Sequence, residues 1–327
     1  MPNKQQLPKQ TELKILFAHG IFQLSDKFEQ RNTGIAHTQS YTQEDTRLQI
    51  VDADIAVISG FWRDDLLETA DRLCFIQVPA AGYDQFDISK LRDAGVALAT
   101  GRGVMANAVA EHALGMMLGF TRHLFTARDN QHKRYWRGML SDSNVREDEL
   151  SGKTILIYGF GTIGSRLATL AKAFGMHVIG IKREPTVGNT NADLIDTPKT
   201  LLQHLPNADF VVLTCPLTDE THNLIDSSTL DAMNPNGYLV NVARGGCVDM
   251  DALILAIEKK SIAGAAIDTT PEEPLPTESP LWEFENVIVT PHTAGDTRNY
   301  EDKVVDLLLD NLKILYSGGQ NLINQII

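Results

Sequence analysis

Thr154-Ile155-Leu156-Ile157-Tyr158-Gly159-Phe160-Gly161-Thr162-Ile163-Gly164 is the stretch on which the fold turns. An apolar, β-branched run stops at a glycine turn of the form G-x-G-x-x-G, and a helical pattern then continues from Gly164 to Phe174. A strand that passes through such a turn into a helix is the opening of a dinucleotide site. Gly159 permits the tight turn, Gly161 lets a pyrophosphate approach the backbone, and Gly164 lets helix and strand pack closely. The free amides at the helix start bind the phosphates.

Outward from this turn, short β-branched runs alternate with helical patterns, as in a parallel α/β sheet. Before it the strand candidates are Leu13–Ala18, Asp54–Ser59, Phe75–Val78 and Val96–Ala99. From it onward they are Thr154–Tyr158, His177–Ile181, Phe210–Thr214, Tyr238–Val242, Gly264–Asp268 and Val287–Thr290. Helices are expected over Gly164–Phe174, Asp249–Lys260 with Asp249 as its cap, Asn107–Arg128 and Thr297–Tyr316. The apolar surface of Asn107–Arg128 suits a bridge between domains or a contact with a second subunit.

The strand His177–Ile181 ends where the adenosine ribose is expected, about 20 residues beyond the glycines, where an NAD site places a carboxylate. Here the sequence reads Ile181-Lys182-Arg183-Glu184. Two cations at that point favour the 2′-phosphate of NADP, which arginine can hold with two hydrogen bonds. NAD remains the alternative, with Glu184 serving the ribose.

At 327 residues the chain has room for two domains, and 43% hydrophobic with 22% charged residues is ordinary globular composition. The net charge of -13 argues against nucleic acid or anionic membrane as partner. No apolar run is long enough to span a bilayer, and the polar Met1–Gln10 segment reads as a disordered lead-in, which together imply a cytoplasmic protein. Cys74, Cys215 and Cys247 have no metal-like spacing and read as small buried residues in a reducing compartment; no metal is expected.

Further fragments carry a family resemblance: Gln77-Val78-Pro79-Ala80-Ala81-Gly82-Tyr83-Asp84, Ala108-Val109-Ala110-Glu111, Leu150-Ser151-Gly152-Lys153-Thr154 and Cys215-Pro216-Leu217-Thr218. Asn241-Val242-Ala243-Arg244-Gly245-Gly246, Ile267-Asp268 with Glu272-Glu273-Pro274-Leu275, and Thr290-Pro291-His292-Thr293-Ala294-Gly295 complete the set. In this order the chain resembles the D-isomer-specific 2-hydroxyacid dehydrogenases, which include glyoxylate/hydroxypyruvate reductases and phosphoglycerate dehydrogenases. The resemblance implies a Rossmann dinucleotide-binding domain over 105–294, inserted into a flavodoxin-like substrate domain made of 1–104 and 295–327. It also implies a homodimer, with Tyr135 and Trp136 either covering the partner's cleft or packed in a core.

Reduction of a 2-keto acid needs a hydride source, an acid for the carbonyl oxygen and a cation for the carboxylate. His292 matches the family's acid/base, since an imidazole exchanges a proton near neutral pH. Glu273 would hold that ring and favour its protonated form, and Arg244 would grip the carboxylate and polarise the carbonyl. The resemblance adds the amides of Ala81 and Gly82 for the carboxylate, and Asp268 for the nicotinamide carboxamide. The implied cofactor site further takes in Phe160, Thr162, Ile163, Cys215, Pro216, Thr221, Val242, Ala243, His292 and Gly295. A single arginine in Gly60-Phe61-Trp62-Arg63 is fewer than a phosphate-reading loop would want. Asp296 either receives a substrate hydroxyl, as hydroxypyruvate would suit, or caps the following helix. The expected reaction is hydride transfer between NADP(H) and a small 2-keto or 2-hydroxy acid. An NAD enzyme for another acid of the D-lactate or phosphoglycerate type, and a nucleotide-sensing corepressor-like binding protein, are the competing readings.

Overall fold

The computed structural model describes residues 7–185, 191–319 and 321–327. Of the lead-in expected over Met1–Gln10, positions 1–6 lie outside the described residues; Pro8 is tied down, its carbonyl accepting the Tyr316 hydroxyl at 3.2 Å. The chain divides into two compact units, Met1–Val104 with Thr297–Ile327, and Met105–Asp296.

The first unit holds five parallel strands: β1 (Lys14–Ala18), β2 (Ala36–Ser40), β3 (Ile55–Ile58), β4 (Phe75–Gln77) and β5 (Ala97–Ala99). Their order is β2-β1-β3-β4-β5, the flavodoxin-like order. The chain's end lies against β5, where Ile326 N donates to Leu98 O and Leu98 N donates to Ile327 O. Buried Asn311, on the helix Tyr300–Tyr316, donates to buried Gln77 at 2.8 Å and accepts Ile323 N at 2.7 Å. That bond joins the returning segment to β4, immediately before the loop Pro79–Gly82.

The second unit holds seven parallel strands: β6 (Thr154–Tyr158), β7 (His177–Ile181), β8 (Leu194–Asp196), β9 (Phe210–Leu213), β10 (Tyr238–Asn241), β11 (Gly264–Ile267) and β12 (Val287–Val289). They run in the order β12-β11-β10-β9-β6-β7-β8, a doubly wound Rossmann sheet. The order reverses between β6 and β9, so the glycine turn after β6 sits at the switch point where such sheets bind ligands. β9 and β11 are buried at every residue, as expected of parallel strands covered on both faces.

The long helix expected over Asn107–Arg128 is two helices, Ala106–Thr121 and Leu124–His132. The break is at His123, whose φ of 50° is left-handed, and the Phe125 ring folds back into the space beside Gly119. The apolar face of the first helix packs on the glycine-loop helix Thr162–Ala173 within the same unit. The second helix buries no residue. Asp249 does cap the helix Met250–Glu258, accepting Ala252 N at 3.1 Å. Asp296 does not cap the last helix, which begins at Tyr300 behind Asn299.

Candidate active site

The glycine turn has the geometry its spacing predicts. Gly159 has φ +101°, and a Cβ there would lie 2.5 Å from Cys215 N. A Cβ on Gly164 would lie 2.7 Å from Gly159 O, while nothing stands within 4 Å of one on Gly161. Two of the three positions are therefore closed by backbone, and the middle one opens onto free space of the kind a pyrophosphate needs. The amides of Gly159 and Phe160 both donate to Ile181 O at 3.0 Å, and Gly161 N donates to Gly159 O at 2.7 Å. The loop's own amides are thus taken, leaving those of the first helical turn, from Thr162 and Ile163, for an anion. These residues fit a dinucleotide.

Opposite the turn, Thr214 Oγ1 donates to Gly159 O at 2.9 Å and fixes the start of the Cys215-Pro216 segment. Thr221, expected at the cofactor, is buried and spends its hydroxyl on that same segment, donating to Pro216 O and accepting Thr218 N, each at 2.7 Å. At the far side Lys182 N donates to Asp196 O at 2.9 Å, joining the ends of β7 and β8. The Asp196 carboxylate is occupied: His204 Nε2 lies 2.9 Å away and Thr197 N donates at 2.8 Å, and these bonds hold its pKa below the usual range. Arg183 is exposed. Burial pushes the Tyr158 phenol up to about 12, while the Arg183 guanidinium pulls the other way, so that cation is within electrostatic reach of the turn.

Arg244, Glu273 and His292 follow β10, β11 and β12, three neighbouring strands, at their carboxyl ends. Arg244 is exposed, its Nη1 donating to Ala243 O at 2.8 Å. Buried Asn241 shapes its turn, accepting Ala243 N and donating to Arg244 O, both at 3.0 Å. Gly245 then lies directly on the backbone of Thr270, leaving no room for a Cβ. Gly245→Ala is expected to destabilise the fold by about 1–3 kcal/mol through this overpacking, read as a lower Tm. An unchanged Tm would show that the two turns are free to separate.

Thr270 N donates to Glu273 Oε1 at 3.1 Å, and the other carboxylate oxygen lies 2.8 Å from His292 Nδ1. The ring's second nitrogen, Nε2, has no protein partner among the described residues. His292 has φ +54°, a left-handed conformation that costs a non-glycine residue about 1–3 kcal/mol and so needs support. That support comes from Asp268 O and Thr290 O, which accept His292 N at 2.8 and 3.0 Å. Asp268, expected at a nicotinamide carboxamide, is itself buried and engaged, with Oδ1 accepting Thr290 Oγ1 and Thr293 N and Oδ2 accepting Ala294 N. Sequence reasoning passed over Thr290 and Thr270 as working groups; one is a strand's last polar residue and the other acts through its amide, which no side-chain pattern signals. In the first unit, Gly101 N donates to Ala80 O at 2.8 Å and Tyr300 Oη to Pro79 O at 3.2 Å, holding the loop that carries Ala81 and Gly82.

Comparison with known proteins identifies the family. The family model for the D-isomer specific 2-hydroxyacid dehydrogenase, NAD binding domain, matches residues 114–294. The glyoxylate reductase of Thermococcus litoralis is 34% identical over 295 residues, covering 85% of each chain. The chain belongs to the D-isomer-specific 2-hydroxyacid dehydrogenases. As a member it is an oxidoreductase of a 2-hydroxy acid with a nicotinamide cofactor. Two solved structures resemble this dehydrogenase over nearly its full length. A D-isomer specific 2-hydroxyacid dehydrogenase family protein from Aeromonas salmonicida has a TM-score of 0.82 and 28% identity, covering 97% of this chain and 99% of that one. An NADPH-dependent glyoxylate/hydroxypyruvate reductase from Sinorhizobium meliloti, in complex with NADP and malonate, has a TM-score of 0.78 and 26% identity, covering 96% and 97%. Among the described residues of the dehydrogenase, no cluster of His, Cys, Asp and Glu is arranged to hold a metal ion, and no helix is long and apolar enough to cross a membrane.

Proposed function

We propose that this dehydrogenase reduces a small 2-keto acid of the glyoxylate or hydroxypyruvate type with NADPH. The 2.8 Å contact between His292 Nδ1 and Glu273 Oε2 carries the chemical part of this assignment. With Nδ1 held by the carboxylate, Nε2 is the nitrogen that gives a proton to the substrate's carbonyl oxygen and takes it back in the reverse direction. Arg244 binds the substrate carboxylate and draws charge from the carbonyl. The amides of Ala81 and Gly82 are donors to a carboxylate. Asp268, beyond its role in the His292 turn, keeps unused acceptor capacity on Oδ2 for a carboxamide N–H. The nicotinamide, when bound, supplies the hydride.

For the cofactor, Lys182 and Arg183 stand at the end of β7, and the carboxylate paired across from Ile181, that of Asp196, is already committed to His204. A 2′-phosphate therefore meets two cations there, whereas a bare ribose would have to share the Asp196 carboxylate with His204 and Thr197. The Sinorhizobium reductase, which carries NADP, supports the same choice. Each charge-assisted contact is worth about 1.5–3 kcal/mol, or roughly ten- to a hundredfold in affinity. A panel of 2-keto acids assayed in parallel with NADPH and NADH tests both halves. Wild type is expected to prefer NADPH, Lys182→Asp to reverse that preference, and added salt to weaken NADPH more than NADH. Equal or better use of NADH by wild type would make Lys182 and Arg183 plain surface charges.

The partner is a second copy of the chain, in the cytoplasm. The helix Leu124–His132 and the segment after it leave Trp136 94% and Met139 102% exposed beside a concavity of ≈ 690 Å³. Large apolar side chains exposed so fully favour cover by a partner. The three free cysteines fit a reducing compartment.

A further inference from the structure

A second histidine is tied to side chains that hold the His292 turn. His112 lies on the helix Ala106–Thr121, and its Nε2 is 3.1 Å from Thr290 Oγ1 and 3.7 Å from Asp268 Oδ1. Thr290 Oγ1 in turn donates to Asp268 Oδ1. A hydroxyl has one proton, and an ionised carboxylate only accepts. Thr290's proton therefore goes to Asp268, and the bond from His112 must run from Nε2–H to the threonine oxygen. The chain of donors is His112 Nε2–H to Thr290 Oγ1–H to Asp268 Oδ1.

The far end of that chain is the backbone on both sides of His292. The Asp268 carboxylate accepts Thr293 N at 3.0 Å and Ala294 N at 3.1 Å, and its carbonyl accepts His292 N at 2.8 Å. Asp268 is 3% exposed, so its orientation is set by these partners and not by water. Without His112 the Thr290 hydroxyl loses the donor that helps to orient it, so its own bond to Asp268 Oδ1 is less firmly directed while the two amides remain. The left-handed turn would then lose part of what holds it.

We infer that His112 is a positioning residue for the proposed acid His292, acting through Thr290 and Asp268. This deepens the functional assignment above and rests on it for its kinetic readout. Small displacements of a reacting group cost up to about a hundredfold in rate. His112→Leu and Thr290→Val are each expected to lower kcat roughly ten- to a hundredfold, with KM for the keto acid changing much less than kcat. The valine is isosteric with threonine, which guards against a folding defect in the leucine variant. Because both act on one chain, the double variant should lose no more than the worse single one. His112→Gln, which restores an N–H where Nε2 stood, and Thr290→Ser should recover most of the rate.

A wild-type kcat in His112→Leu, losses that add in the double variant, or no recovery with glutamine would each overturn the inference. A second readout needs no substrate. The His292 imidazole NMR signals, identified by their loss in His292→Ala, should shift in His112→Leu and return in His112→Gln; signals that stay put overturn the positioning role. If wild type reduces no 2-keto acid, the functional assignment fails, and the NMR comparison alone decides the bond chain.

Discussion

Replacing His292 with alanine is expected to lower turnover by at least about a hundredfold while cofactor binding stays at its wild-type level. The size follows from the loss of a positioned proton donor, whose contribution is typically 10²–10⁴-fold. The selectivity follows from geometry. Glu273 keeps its bond from Thr270 N when the ring is gone, and the glycine turn after β6 is built from other residues altogether. Glu273→Gln should fall between the two extremes, since an amide oxygen can still accept from Nδ1 but makes a weaker bond than a carboxylate. Stopped-flow reduction of the best keto acid, beside a fluorescence titration with NADPH, separates these outcomes. Near-normal turnover in His292→Ala would remove the residue from the chemistry.

The parts of this fold that could be read from sequence were those under the strongest constraint. β6 and β7 match their expected ranges to the residue, because both have buried apolar interiors, and the apolar run ends at the Gly159 turn in one and at the charged residues Lys182 and Arg183 in the other. The two strands that escaped notice, β2 and β8, are the outer strands on one side of each sheet. β2 reads Ala36-His37-Thr38-Gln39-Ser40 and buries only Ser40, and β8 is three residues long. An edge strand needs one ladder and no buried face, so it leaves no apolar period to find. The helix expected to run past His123 failed for a related reason: residues 124–132 are helical but bury nothing, and only the backbone at His123 marks the corner.

The site shows the same division between side chains and backbone. The proposed catalytic residues Arg244, Glu273 and His292 stand out in the sequence because each is a chemically distinctive side chain at a position that matches a motif of the family. What holds them does not. The amide of Thr270, the carbonyl of Asp268 and the Asn241 side chain bent round its own turn are ordinary groups made useful by register. Asp268 was legible as an important acid, yet its visible partners are the amides of Thr293 and Ala294, a positioning task that its place in a motif does not announce.

Arg244→Ala is expected to lower kcat/KM for the keto acid by about 10²–10³-fold, the scale found when one preorganised donor to a developing oxyanion is removed. Both parameters should move. In the proposed assignment the guanidinium binds a carboxylate already present in the ground state, a contact whose loss would raise KM, and polarises a carbonyl whose charge grows in the transition state, an effect whose loss would lower kcat. Among the described residues the Arg244 side chain bonds to the carbonyl of Ala243 alone, which leaves N–H donors for an anion. Arg244→Lys tests the fork against the charge. A lysine keeps the charge but loses the paired donors, so it should recover part of the KM effect and little of kcat. NADPH affinity, measured by fluorescence titration, should stay near wild type in both variants, because the turn that carries Arg244 is fixed by Asn241 and by the close fit of Gly245 on Thr270, and not by the arginine side chain. A large loss of NADPH affinity in folded Arg244→Ala would instead assign this arginine to the cofactor and leave the keto acid without its cation in this unit.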